Sequence, residues 1–75
     1  MTTARILLQT ECTLFFEENP QALETVEGIS QRLGRRPEDL QPILELMVSR
    51  SIVSRVGVGH KALFRYSVPD EMIIE

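Results

Sequence analysis

The sequence contains few of the residues on which metal sites, disulfide frameworks and membrane spans depend. Its 75 residues include one cysteine, one histidine and no tryptophan. A single cysteine excludes a disulfide within the chain. One cysteine with one histidine also falls short of the three or four ligands of a zinc site. No apolar run approaches the roughly 18–20 residues of a transmembrane helix. We therefore expect no metal, no cofactor and no membrane partner.

The amino-terminal residues also lack the uninterrupted apolar segment and the cleavage site of a secretory signal peptide. Together with the lone cysteine, this favours a reducing compartment, and we expect a cytoplasmic protein. A chain of 75 residues has the size of one small domain. We predict a single domain over residues 1–75, in which residues 69–75 are a short acidic and apolar tail.

Acidic residues outnumber basic ones by eleven to eight, which gives a net charge of −3. This total argues against nucleic acid as a partner, because phosphate binding depends on lysine and arginine. The charge is unevenly distributed, however: residues 1–30 carry −4, residues 31–69 carry +4 and residues 70–75 carry −3. Because a ligand meets the local field of a surface first, the middle segment keeps polyanion binding open.

Apolar residues recur at helical spacing over residues 4–18, which predicts a first helix. Its apolar arc is about 200° wide, whereas one core-facing side needs roughly 100°. Leu7 and Leu14 lie on this arc, and Ile6 lies outside it. Two explanations stay open: a small core that surrounds the helix on two sides, or a dimer interface on part of the arc.

Two further helices are indicated by their end signals. Thr25 is suited to cap a second helix, and Gly34 is suited to end it in a left-handed conformation. Pro37 is suited to the first turn of a third helix. From Leu40 onwards, apolar residues follow at i+3, i+4, i+7 and i+8, the strongest helical pattern in the chain.

From Ile52 onwards the apolar pattern becomes alternating, which is typical of β-strands. Residues 52–56 and 62–68 are predicted to be the two strands of a hairpin. Residues 57–61 connect them in a flexible loop that contains two glycines, one histidine and one lysine. The sequence thus predicts an α+β fold of three helices followed by a β-hairpin.

The order of these elements and several short motifs are shared with a known superfamily. The motifs are Thr25-Val26-Glu27-Gly28-Ile29, Leu33-Gly34, Pro37-Glu38-Asp39-Leu40 with Leu44 and Val48, Ser51-Ile52-Val53, and Gly57-Val58-Gly59 with Tyr66. Over residues 4–68 the chain resembles the winged helix-turn-helix superfamily. The resemblance implies a small stand-alone DNA-binding protein that regulates transcription. Its third helix would lie in the major groove, and its hairpin, the wing, would touch the DNA backbone or minor groove.

Carried over to this chain, the resemblance implies contacts with double-stranded DNA from two places. The candidates are Arg35, Arg36, Gln41, Glu45, Ser49 and Arg50 around the third helix, and Arg55, His60, Lys61 and Arg65 in the wing. The solvent side of that helix departs from the pattern, because it carries Glu38, Pro42, Glu45, Leu46 and Ser49 and no cation to read a base edge. The turn arginines also have a second interpretation, in which they face solvent or pair with Glu38 and Asp39.

The alternative function is a winged-helix adaptor that binds another protein and does not bind DNA. Its candidate docking residues are Glu45 and Leu46, predicted to be exposed side by side on the third helix. A homodimer is predicted separately, through Ile6, Leu7 and Leu14 of the first helix with Met72, Ile73 and Ile74 of the tail. The alternative is that the tail folds back over the first helix of its own chain and covers the exposed arc.

Catalysis is not expected of this chain. A catalytic cysteine needs its base within hydrogen-bond distance. Cys12 is predicted inside the first helix and His60 at the hairpin tip, 48 positions further on. We therefore interpret Cys12 as a small buried hydrophobic residue.

Overall fold

The structure, a computed structural model, describes residues 3–67. Its helices are α1 (Thr3–Glu18), α2 (Val26–Leu33) and α3 (Pro37–Ser49), and its strands are β1 (Leu23–Glu24), β2 (Val53–Val56) and β3 (Leu63–Tyr66). Three helices and a three-stranded antiparallel sheet make a small α+β fold, as predicted, and the layout is compatible with a winged helix. Within the described residues, no helix is long and apolar enough to cross a membrane.

The second helix begins and ends where the sequence predicts. The backbone N–H of Gly28 donates to the hydroxyl oxygen of Thr25 at 3.1 Å, so Thr25 caps α2. At the other end Gly34 has φ of 68°, and its N–H donates to the Ser30 carbonyl at 2.9 Å. This left-handed conformation is easy for glycine and costly for other residues. Pro37 then begins α3, as its fixed φ and missing N–H favour.

The sheet contains one strand that the sequence pattern does not predict. β1 is two residues long and pairs antiparallel with β3, placing Leu23 opposite Arg65 and Glu24 opposite Phe64. β2 pairs with the other edge of β3, so the strand order is β1-β3-β2. The chain segment between α1 and α2 is thereby attached to the far end of the sequence.

The hairpin tip contains a short helical turn that the sequence does not predict. Gly59–Lys61 form one turn of 3-10 helix between β2 and β3. Gly57 and Gly59 have φ angles of 92° and 75°, a region that favours glycine. The two glycines therefore shape the turn that presents His60 and Lys61, both of which are exposed.

One hydrophobic core joins all three helices to the sheet. Its buried residues are Cys12, Phe15, Phe16, Val26, Ile29, Leu40, Ile43, Leu44, Met47, Val53 and Phe64. The rings of Phe15 and Phe16 meet edge to face, with centroids 5.0 Å apart, a favourable arrangement for aromatic pairs. α1 therefore contributes one inward face, and α3 contributes the face that starts at Leu40, as its spacing predicts.

The core described by residues 3–67 covers α1 on one side only. Ile6, Leu7 and Leu14 retain 53%, 49% and 48% of their surface exposed. The wide apolar arc is therefore not explained by a core on two sides of α1, because residues 3–67 form a core on one side only. Met72, Ile73 and Ile74, with the rest of the tail over residues 69–75, lie outside the described residues.

Candidate functional site

The first arginine of the predicted DNA-contacting turn is bound to an acidic side chain of α1. The Arg35 guanidinium donates to the two carboxylate oxygens of Glu11, from Nε at 2.9 Å and from Nη2 at 2.6 Å. The hydrogen bond and the charge of Arg35 lower the pKa of Glu11, and the same contact raises the pKa of Arg35. Such a two-bond pair has a well-defined geometry. The positive charge of Arg35 is thus matched within the protein.

The second arginine of this turn is paired more loosely. Arg36 Nε lies 3.5 Å from a carboxylate oxygen of Glu38 and 3.4 Å from one of Asp39. Its side chain remains 71% exposed. The sequence offers solvent exposure or pairing with Glu38 and Asp39 as the alternative to phosphate binding. Arg36 does both, because it faces solvent and also pairs with these acids.

A cluster of three side chains joins α3 to β2. The carboxylate of Glu45 accepts from Arg55 Nη1 at 2.5 Å, and its other oxygen accepts from Gln41 Nε2 at 2.7 Å. All three were predicted to contact DNA, and the structure brings them together. The sequence gives no sign of this contact, since Glu45 and Arg55 belong to different elements.

The remaining predicted DNA contacts divide by position. Ser49 donates its hydroxyl to the Leu46 carbonyl at 2.7 Å, within α3. Arg50, His60, Lys61 and Arg65 form no ion pair with any acid among residues 3–67. Arg50 follows the end of α3, His60 and Lys61 lie in the hairpin tip, and Arg65 lies on β3 opposite Ser54. These four are the unmatched cations of the described chain.

The solvent side of α3, which we call the α3 outer face, consists of Glu38, Pro42, Glu45 and Ser49, with Asp39 and Leu46 at its edge. Leu46 is half-buried, so the expectation of an exposed leucine beside Glu45 is wrong. At 100° per residue Leu46 lies between the core and the solvent, which is why it is partly covered. The face is acidic and contains no arginine or lysine.

A shallow groove runs between the start of α3 and the first half of α1. Its lining residues are Ala4, Arg5, Leu8, Glu38, Asp39 and Pro42. Ala4, Leu8 and Pro42 give it apolar walls, while the carboxylates of Glu38 and Asp39 stand at its α3 side. We call this the α1–α3 groove. The groove thus combines apolar surface with two carboxylates and one cation, Arg5, and Arg36 pairs with both carboxylates.

The exposed side of α1, which we call the α1 outer face, contains Ile6, Leu7, Thr10, Thr13 and Leu14. Thr10 donates its hydroxyl to the Ile6 carbonyl at 3.0 Å, and Thr13 donates to the Gln9 carbonyl at 2.8 Å. Hydroxyl groups bonded to their own helix leave the threonine methyl groups to the surface. The face is therefore more apolar than its sequence indicates, and the two threonines were not among the predicted interface residues.

Another ion pair that the sequence does not predict involves the last turn of α2. Arg32 Nη2 lies 3.1 Å from the carboxylate of Glu24 in β1. The Arg32 guanidinium carbon also lies 5.5 Å from the ring centroid of Phe15, a cation–π distance. Arg32 therefore connects α2 to β1, and its charge is matched by Glu24.

The lone cysteine and histidine lie in different surroundings. Cys12 is fully buried, and burial raises the pKa of its thiol to about 11. His60 is exposed at the hairpin tip. No group of three or more histidine, cysteine, aspartate or glutamate side chains in residues 3–67 is placed to hold a metal ion.

Comparison of the sequence with models of protein families, with characterised proteins and with solved structures finds no match.

Proposed function

We propose that this chain is a winged helix used as a protein-interaction module. The fold assignment rests on the element order α1-β1-α2-α3-β2-β3, in which the hairpin of β2 and β3 corresponds to the wing. The functional assignment rests on the pairing of three of the five arginines expected to contact DNA: Arg35, Arg36 and Arg55 each bind a carboxylate. Two of these arginines bind acids of the α3 outer face or its edge, and that face contains no cation.

Ion pairs on a protein surface are weak, so phosphate can compete for Arg35, Arg36 and Arg55. The carboxylates would nevertheless stay in place after such an exchange. Glu38, Asp39 and Glu45 all lie on or beside the helix that a winged helix inserts into the major groove. The DNA phosphates on both sides of the major groove would repel these carboxylates. The same three carboxylates attract a basic protein surface.

The α1–α3 groove is the place we assign to the partner. Its apolar walls of Ala4, Leu8 and Pro42 can bury aliphatic side chains. Glu38 and Asp39 hold Arg36 at 3.5 and 3.4 Å, and a cation of the partner would take its place at these carboxylates. Binding sites of this kind combine an apolar centre with a charged rim. The partner is therefore a protein segment that carries arginine or lysine beside apolar side chains.

DNA binding is the second candidate, and one observation favours it. Arg50, His60, Lys61 and Arg65 have no acidic partner in the described part of the chain. Contacts from these residues would hold phosphates and would not read bases. In this case the protein is a transcriptional regulator, as the resemblance implies, with its wing as the main DNA contact.

Two measurements separate the candidates. The first is the fluorescence anisotropy of a labelled random duplex of about 20 base pairs, titrated with protein at about 25 and about 150 mM salt. The second replaces Pro42 by a photo-crosslinking amino acid in the source cells, with the same replacement at Gln31 as the matched exposed control on α2.

An interaction module gives no salt-dependent anisotropy change. It gives a discrete crosslinked protein from position 42 that is absent from position 31 and disappears when Glu38→Lys and Asp39→Lys are combined. The opposite result is tight duplex binding at low salt that weakens with Lys61→Ala and Arg65→Ala. That result would replace the proposal by the DNA-binding candidate.

A further inference from the structure

The α1 outer face is a stripe along the helix. Leu7, Thr10 and Leu14 follow one another at i, i+3 and i+7, which places them on one side of α1. Ile6 and Thr13 border this stripe. Glu17 follows Leu14 at i+3 and is the next residue along it. Leu7 and Leu14 are half exposed, and both threonine hydroxyls are bonded to carbonyls of the same helix. The stripe is therefore apolar for two turns and acidic at its carboxyl end.

The charges at the two ends of α1 are opposite to what the helix itself favours. Its first turn contains no acidic residue, and its last turn contains no basic residue. Instead, Glu17 and Glu18 lie at the carboxyl end. A helix carries partial positive charge at its amino end and partial negative charge at its carboxyl end. Both ends of α1 are thus left without their usual countercharge from within the helix.

We propose that a second copy of this chain packs on the α1 outer face, with the two α1 helices antiparallel. A two-fold axis close to Thr10 then brings Leu7 of each copy against Leu14 of the other. The same arrangement places Glu17 and Glu18 of each copy beside the first turn of the other copy's α1. Each helix receives from its partner the negative charge that its own amino end lacks.

A second copy explains this surface better than an unrelated protein. A two-fold interface is self-complementary, so one patch must supply both the apolar stripe and the matching ends. α1 does this only in the antiparallel orientation, because a parallel pair would place the four glutamates together. The proposal is independent of the α1–α3 groove, which uses the other side of α1.

The proposed interface is small, so we expect a weak dimer. Two turns of one helix form an interface below the size of stable complexes. We expect a dissociation constant on the order of tens of micromolar, with the equilibrium depending on concentration. The interface needs no residue outside the described part of the chain.

Sedimentation equilibrium of the 75-residue chain tests the association, over concentrations from about 5 to about 500 µM. We expect a monomer–dimer equilibrium that Leu14→Ser weakens at least tenfold. Leu23→Ser is the matched control, because Leu23 is equally exposed, at 51%, and lies on β1. Leu23→Ser should change the dissociation constant less than twofold. Circular dichroism of both variants checks that they fold.

Disulfide trapping tests the orientation. Leu7→Cys and Leu14→Cys variants are mixed under mild oxidation, with Cys12 protected by its burial. Antiparallel helices favour the disulfide between the two different variants over either homodimer, because position 7 of one copy meets position 14 of the other. A monomer mass at every concentration, an equal effect of Leu23→Ser, or predominant homodimeric disulfides would each overturn the proposal.

Discussion

Arg35 and Glu11 are 24 positions apart in the sequence, and two hydrogen bonds join their side chains in the folded chain. The pair connects the turn between α2 and α3 to the middle of α1. Its cation is one that the winged-helix resemblance assigns to phosphate. The contact therefore bears on both stability and function, and it can be tested through the pH dependence of folding.

Glu11 has a lowered pKa in the folded chain, because Arg35 donates to its carboxylate. A lowered folded pKa gives stability that is present above the unfolded value, about 4.5, and is lost as pH falls through the folded value. We expect Glu11→Gln to be destabilising near neutral pH and to reduce the loss of stability below about pH 4.5. Urea denaturation at a series of pH values measures this. Glu27→Gln, which removes an exposed carboxylate that forms no ion pair within residues 3–67, should leave the pH profile closer to that of the original chain.

Thr25 caps α2 through its hydroxyl group, which accepts from the Gly28 N–H. Thr25→Ala should lower the free energy of unfolding by about 0.5–2 kcal/mol, since one N–H of the first turn loses its partner. Thr25→Ser keeps the hydroxyl and should lose less than half of this amount. Chemical denaturation of the three proteins side by side provides the comparison, and equal losses from both substitutions would show that the hydroxyl is not the stabilising group.

Glu45 joins α3 to β2, because its carboxylate accepts a hydrogen bond from Arg55. Glu45→Arg removes a carboxylate from the α3 outer face and adds a cation, so nonspecific duplex affinity should increase and the logarithmic salt slope should steepen by about one unit. Glu27→Arg makes the same charge change on exposed α2 and should have the smaller effect. If Glu45→Arg instead abolishes a sequence-specific complex with DNA, Glu45 reads a base and the proposed function fails.

Cys12 is buried, and its burial is the main reason why the pKa of its thiol is raised from 9.0 to about 11. The charge of Glu11 adds to this effect. Between these two values the unfolded chain releases a proton that the folded chain retains, so the free energy of unfolding should fall as pH rises across the window. Cys12→Ala should lack this component of the pH dependence. A thiol reagent at about pH 8 should label Cys12 at least tenfold more slowly than the denatured chain.

The parts of the fold that the sequence predicts are those governed by neighbouring residues. Thr25, Gly34 and Pro37 act on the backbone within one turn of their own positions, and they set the ends of α2 and the start of α3. The buried face of α3 follows from helical periodicity, starting at Leu40. These features need no knowledge of the rest of the chain.

The parts that the sequence does not predict depend on contacts between distant residues. β1 is a strand because Leu23 and Glu24 pair with β3, some 40 positions away, and two residues have no periodicity of their own. The pairing of Glu45 with Arg55 likewise depends on how α3 meets β2. The sequence therefore gives the net charge of residues 31–69 correctly. It does not reveal which arginines of this segment form ion pairs with acidic side chains.

The position of β3 has a consequence for how the chain is made. β3 is the last of the described elements in chain order, yet it occupies the centre of the sheet, between two strands that do not pair with each other. During synthesis β1 and β2 leave the ribosome before the strand that joins them exists. The helices depend on local bonds and can form as they emerge, whereas both ladders must wait for residues 63–66. The β2–β3 hairpin is local, whereas the β1–β3 ladder closes the chain between residues 24 and 64, and long-range closure of this kind slows folding.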